Sequence, residues 1–191
     1  MIGMLPTSIE INGKSWEIRT DYRIILRIFE AMEDPELTDS EKLYVALDLI
    51  YVGFKEMPKE IYQEAYQKAS AFMECHDRSS DKHNPRLINW EKDEHMIFPA
   101  INSVAGCEVR SVPYMHWWTF LGYFESVDNE SLWSFVLSIR QKRAKGKKLE
   151  KYEQDFYRNN MALCDVKKPE ERKTAVEQLN DMFDMLEEGG A

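Results

Sequence analysis

The sequence predicts a mainly α-helical protein, an α+β fold with small β content in which an N-terminal β-hairpin precedes about seven helices. Three observations carry this reading. A period-two pattern is confined to residues 8–18, apolar residues recur at helical spacing over most of the remaining chain, and cap residues punctuate that spacing.

The hairpin is the strongest local signal. Ser8-Ile9-Glu10-Ile11 and Lys14-Ser15-Trp16-Glu17-Ile18 alternate around Asn12-Gly13, a pair that tolerates the positive φ angles of a type I′ turn. An isolated hairpin is marginal in water, so Ile9, Ile11, Trp16 and Ile18 are expected to pack on the helices.

Thr20-Asp21 is placed to cap a helix with Tyr22, Ile25, Phe29 and Met32 on one face, ending before Pro35. Thr38-Asp39-Ser40-Glu41 has the form of a capping box, opening a second helix through Leu43, Ala46, Leu47 and Ile50 that Gly53 stops. Pro58 opens a third, with Ile61, Ala65, Ala69 and Phe72 aligned. The polar run from Cys75 to Asn89 reads as a loop or subdomain boundary. Helical spacing resumes at Trp90, Ile97, Phe98, Ile101 and Val104 and halts at Gly106. Pro113 leads into an aromatic helix carrying Tyr114, His116, Trp117, Trp118, Phe120, Leu121 and Phe124. Asp128 is expected to cap the next helix, with Leu132, Phe135, Val136 and Ile139 inward. Two further helices are predicted, one over roughly Lys148 to Cys164 and one from Pro169 carrying Val176, Leu179, Met182, Phe183 and Leu186. Residues 1–144 thus read as a hairpin plus helical domain, and 145–191 as a basic turn with a C-terminal helical extension.

The chain's 191 residues are 43% hydrophobic and 12% aromatic, enough for one domain with a real core. Net charge is −9, which argues against general nucleic-acid binding because phosphate affinity needs a cationic surface. The charge is uneven. Seven cations and one anion between Arg140 and Lys151 give that stretch +6, leaving −15 for the remainder. Three widely spaced cysteines, Cys75, Cys107 and Cys164, suggest a reducing compartment. The start lacks the cationic and apolar regions of a signal peptide. The longest uncharged stretch, Ser111 to Phe124, falls short of the ~20 residues that span a bilayer. A cytoplasmic protein without membrane contact is expected.

No pattern specifies catalysis. Cys75, His76, His83 and His95 lack metal-ligand spacing and read as loop polarity, so neither metal nor cofactor is expected. The eight glycines form no phosphate loop. Carboxylate pairs such as Asp93/Glu94 and Glu170/Glu171 read as solvated helix faces.

Three features suit partner binding instead. Adjacent Trp117 and Trp118 diverge by about 100° on a helix, so one ring fills a core while the other reaches a second helix or a partner, unless both lie in a helix buried on two sides. The basic stretch, with Arg140, Lys142, Arg143, Lys147 and Lys148, is either a solvated helix end or a docking patch for an acidic partner. RNA or DNA contact is disfavoured because no aromatics interleave with the cations. Leu179 and Phe183, on the last helix's apolar stripe, either complete the core or lie in a neighbour's groove.

Several runs resemble the "gene product fifteen" family of tailed phages that infect Gram-positive bacteria. They are Thr20-Asp21-Tyr22-Arg23 with Ile25-Leu26 and Ile28, Glu33-Asp34-Pro35-Glu36-Leu37-Thr38-Asp39 with Glu41-Lys42, His116-Trp117-Trp118 with Phe120, and Leu132, Val136 and Ile139-Arg140 leading to Lys145-Gly146-Lys147-Lys148. The resemblance covers roughly Ser8 to Leu149. It implies a product of the long-tail module, encoded beside the tape-measure protein and acting as a non-catalytic tail-assembly chaperone in the host bacterial cytoplasm. The implied partners are the tape-measure protein, other tail proteins and further copies of the chain, making a homo-oligomer. A structural tail or head-completion component of the virion is the main alternative, and an RNA-binding regulator a further one. The family implies no catalytic residues.

Overall fold

The computed structural model describes residues 3–75 and 87–166. Strands β1 (Ser8–Ile11) and β2 (Lys14–Glu17) pair antiparallel, with Ile9 opposite Trp16 and Ile11 opposite Lys14. Asn12 (φ 50°) and Gly13 (φ 74°) occupy the turn, both in the positive-φ region that the Asn-Gly pair tolerates. Ile11, Trp16 and Ile18 are buried, as the alternation requires.

Among the described residues eight α-helices follow: α1 (Tyr22–Glu33), α2 (Asp39–Ile50), α3 (Tyr62–Glu74), α4 (Trp90–Ala105), α5 (Trp117–Glu125), α6 (Leu132–Ala144), α7 (Lys151–Asn159) and α8 (Met161–Cys164). Asp21 caps α1, and Thr38 with Glu41 forms the reciprocal capping box of α2. Gly106 ends α4 at φ 68°. Pro58 precedes a single 3₁₀ turn, Lys59–Ile61, that leads into α3.

Four local expectations are corrected. The aromatic helix starts at Trp117, not at Tyr114, because His116 is its N-cap and leaves Tyr114 exposed. Ser131, not Asp128, caps α6, since Asp128 already accepts the Glu130 amide in the preceding turn. The buried face of α6 is Trp133, Val136, Ile139 and Arg140, so Leu132 points outward, 49% exposed. The stretch from Lys148 to Cys164 is two helices broken at Asn160, not one. The helix expected from Pro169 lies outside the described residues.

The core gathers Tyr22, Ile25 and Ile28 of α1, Leu47 and Ile50 of α2, Ala65 and Ala69 of α3, Ile97 and Ile101 of α4, and Phe120 of α5. Arg19 fastens the hairpin exit to this core, donating to the carbonyls of Asp48, Leu49 and Tyr51 at 2.9–3.1 Å. Asp48 and Leu49 lie in the last turn of α2 and Tyr51 is its C-cap, where carbonyls lack helical partners and a cation also complements the helix dipole. No helix among the described residues is long and apolar enough to cross a membrane.

The two tryptophans close α3 in the same way. Trp117 Nε1 donates to the Met73 carbonyl at 2.8 Å and Trp118 Nε1 to the Phe72 carbonyl at 2.9 Å. Trp118→Phe removes one such bond from a half-buried ring and is expected to cost about 1 kcal/mol. Trp117→Phe also leaves a gap in the core and should cost about 2–3 kcal/mol. Urea unfolding of both variants measures the ordering.

Candidate interaction surface

Two of the sequence runs read as distinctive meet in space. The Tyr22 amide donates to the Met115 carbonyl at 3.0 Å, and the Trp117 amide donates to the Thr20 carbonyl at 2.7 Å. This short antiparallel bridge joins the entry of α1 to the entry of α5. Asp21 serves both segments, accepting the Arg23 amide at 2.9 Å and the Met115 amide at 3.3 Å. Arg23 reaches back to the Val112 carbonyl at 2.6 Å, and the Thr20 and Tyr114 hydroxyls share a 2.6 Å hydrogen bond.

His116 completes the junction. Its Nδ1 accepts the Trp118 amide at 3.1 Å, while Nε2 lies 2.9 Å from the Pro6 carbonyl. Only the neutral tautomer with its proton on Nε2 satisfies both partners. Below, the Tyr22 ring stacks on Phe120 with centroids 4.3 Å apart and planes 2° from parallel. The junction is structural chemistry: each polar group has its partner within the fold.

Beside it opens a groove of about 370 Å³, lined by Pro6, Ile9, Ala71, Phe72, Glu74, Cys75 and Trp118. Trp118 is half-buried because its indole leans on Phe72 (centroids 5.7 Å, 25° between planes) and leaves its other side on the groove. Trp117, 2% exposed, is core. The divergence expected of adjacent helical tryptophans is what separates the two rings.

The basic stretch is put to more internal use than its sequence suggests. Arg140 is only 3% exposed and makes a bidentate pair with fully buried Asp93, at 2.6 and 2.8 Å. It also donates to the carbonyls of Leu87 at 2.8 Å and Leu163 at 2.5 Å. Lys142 Nζ lies 2.6 Å from the buried Glu153 carboxylate of α7, and Arg143 pairs with Asp165. Lys92 Nζ donates to the Asp165 carbonyl at 2.6 Å, and the Tyr157 hydroxyl donates to its carboxylate. Three expected docking cations therefore fasten α7 and α8 onto α6. Lys147 and Lys148 are exposed and make no ion pair among the described residues.

Leu179 and Phe183 lie outside the described residues, as do His76 and His83. His95 is exposed on α4, its Nδ1 2.9 Å from the Lys92 carbonyl. Among the described residues no cluster of three His, Cys, Asp or Glu side chains could hold a metal. Reading Asp93 as part of a solvated face is corrected, because it is sealed inside. The usable signal was its spacing: Ile97 and Ala100 lie four and seven residues on and share its helix face.

The Lys142–Glu153 pair makes the attachment of α7 depend on pH. Burial pushes the Glu153 carboxyl up, but hydrogen bonds from Lys142 and the Glu150 amide outweigh it and hold it below the ordinary carboxylate range. The hydrogen bond to Glu153 raises Lys142. A carboxyl depressed in the folded state stabilises above its unfolded value, about 4.3, and that stability is lost as pH falls through the folded value. The raised lysine stabilises below its unfolded value, about 10.4, and that part is lost as pH rises through the folded value. The difference in urea midpoint between the parent chain and Glu153→Gln should thus be flat from about pH 5 to 9 and shrink in acid. A difference that grows on acidification contradicts the geometry.

A sequence model of the family described as Bacteriophage Gp15 protein matches residues 1–165. No curated protein and no solved structure matches the chain significantly. The match takes in the whole α1–α5 junction and the Asp93–Arg140 pair, so the elements that organise the fold fall within it. The chain belongs to the bacteriophage Gp15 protein family.

Proposed function

We propose that this phage protein is a non-catalytic tail-assembly chaperone that binds the tape-measure protein during long-tail morphogenesis, working in several copies in the host cytoplasm. The observation that carries the reading is the open groove beside Trp118, an apolar recess on a frame whose buried polar side chains already serve the fold. Amphipathic helices are recognised by inserting spaced apolar anchors into such recesses. A long helical client offers many anchors, so modest sites on many copies give firm retention by avidity. Asp93, His116, Arg140 and Glu153, the buried groups best suited to chemistry, are each engaged by neighbouring helices or caps. That is how a framework uses polar residues, and it favours binding over catalysis.

Co-expression with a tape-measure fragment tests the reading. The parent chain should retain the fragment in pull-down at low salt. Ala71→Glu, which places a carboxylate at an exposed groove position, should weaken retention at least about tenfold, the equivalent of roughly 1.4 kcal/mol. No retention by the parent chain rejects the chaperone role. Abundant protein in purified particles, detected by mass spectrometry, would favour a structural component instead.

A further inference from the structure

Four of the seven cations between Arg140 and Lys151 remain once the internal pairs are assigned. Lys145, Lys147, Lys148 and Lys151 are exposed, and none makes an ion pair among the described residues. They occupy the turn from α6 to α7 and the first residue of α7. Next to Lys151, Tyr152 is 62% exposed and its ring stacks on half-buried Phe135, with centroids 6.0 Å apart and planes 16° from parallel. Leu132 lies three residues before Phe135, on the same side of α6. The surface is an apolar ridge beside a cationic turn. Exposed large apolar side chains grouped this way mark contact sites.

The sequence contains a segment of matching chemistry. Residues 176–188 carry Glu177, Asp181, Asp184, Glu187 and Glu188 with no cation, and the stripe Val176, Leu179, Phe183 and Leu186. The described chain ends at Val166, directly after Asp165 is held by Arg143 and Lys92 at this same group of helices. Nine residues lie between Val166 and Val176, and the ten steps from one to the other reach up to ~35 Å when extended. The whole of α6, 13 residues, is about 20 Å long. The tether is ample.

We propose that residues 176–188 dock on the ridge formed by Leu132, Phe135 and Tyr152 of the same molecule, with their carboxylates over Lys147, Lys148 and Lys151. The apolar stripe covers the ridge and opposite charges set the register. A short tether supplies an effective concentration in the millimolar range, so the chain's own segment outcompetes that of a second copy. The remaining cations thus repeat the pattern of Lys142 and Arg143, each stretch of the C-terminal chain being fastened by lysines and arginines ahead of it.

Hydrogen exchange followed by mass spectrometry on the full chain tests this. Leu179→Ala with Phe183→Ala, which alters no described residue, should speed exchange over residues 147–157 at least about fivefold. Lys147→Glu, Lys148→Glu and Lys151→Glu together should do the same, and adding Glu177→Lys, Asp181→Lys and Asp184→Lys should restore slow exchange. Peptides covering residues 20–25 and 115–120 should not change, which certifies the fold of each variant. Unchanged exchange over 147–157 in the Leu179/Phe183 variant overturns the proposal. So does a charge swap that restores nothing. Protection that disappears on dilution overturns it too, because the occupant would then be another molecule.

Discussion

The buried pair between Asp93 and Arg140 is the constraint on which the C-terminal half of the described chain depends. Two opposite charges leave water here, a transfer that costs several kcal/mol per ion unless geometry and further hydrogen bonds compensate. Both oxygens of Asp93 accept from Arg140, and the Asn89 amide also donates to Asp93 at 2.9 Å, at the start of α4. Arg140 uses its remaining terminal donors on the carbonyls of Leu87 and Leu163, leaving only Nε without a partner. One side chain therefore ties together α4, the segment before it, α6 and α8. With the pair formed, Cys164 is sealed and Lys142 and Arg143 are aimed at Glu153 and Asp165.

The N-terminal half is organised by a different device. Helices α1 and α5 begin side by side, joined by two backbone hydrogen bonds and capped by Asp21 and His116. Capping is normally a local event, but here each cap also reaches across, Asp21 to the Met115 amide and His116 to the Pro6 carbonyl. The two indoles then extend the junction to α3 by taking its terminal carbonyls. Local signals are thereby converted into long-range contacts. The groove beside Trp118 is a consequence of this packing, since one ring must face inward and its neighbour outward.

Much of this was legible in the sequence. Asn12-Gly13 specifies its turn through backbone sterics, Thr38 and Glu41 specify a box by spacing, and Gly106 tolerates the left-handed termination of α4. These are short-range effects. The helical period makes Trp117 and Trp118 diverge, but it left open whether both rings are buried; the packing of α5 on α3 decides that Trp117 is buried and Trp118 half-buried. What was not legible depends on partners distant in sequence. Asp93 and Arg140 lie 47 residues apart, and each looks solvated beside its own charged neighbours. A cation's burial is decided by the helix that crosses it, which no local window contains. The start of α5 and the cap of α6 were misplaced for different reasons: long-range contacts to Pro6 and Thr20 fix His116 as a cap, whereas Asp128 is already used by the turn that precedes Ser131.

A double-mutant cycle on Asp93 and Arg140, read by urea unfolding, tests the account most directly. Asp93→Leu and Arg140→Met should each cost about 3–5 kcal/mol, because each leaves an unpaired buried charge. The double variant should cost far less than the two together. Single losses below about 1 kcal/mol, or a double variant equal to their sum, would show that the pair does not hold these helices in place.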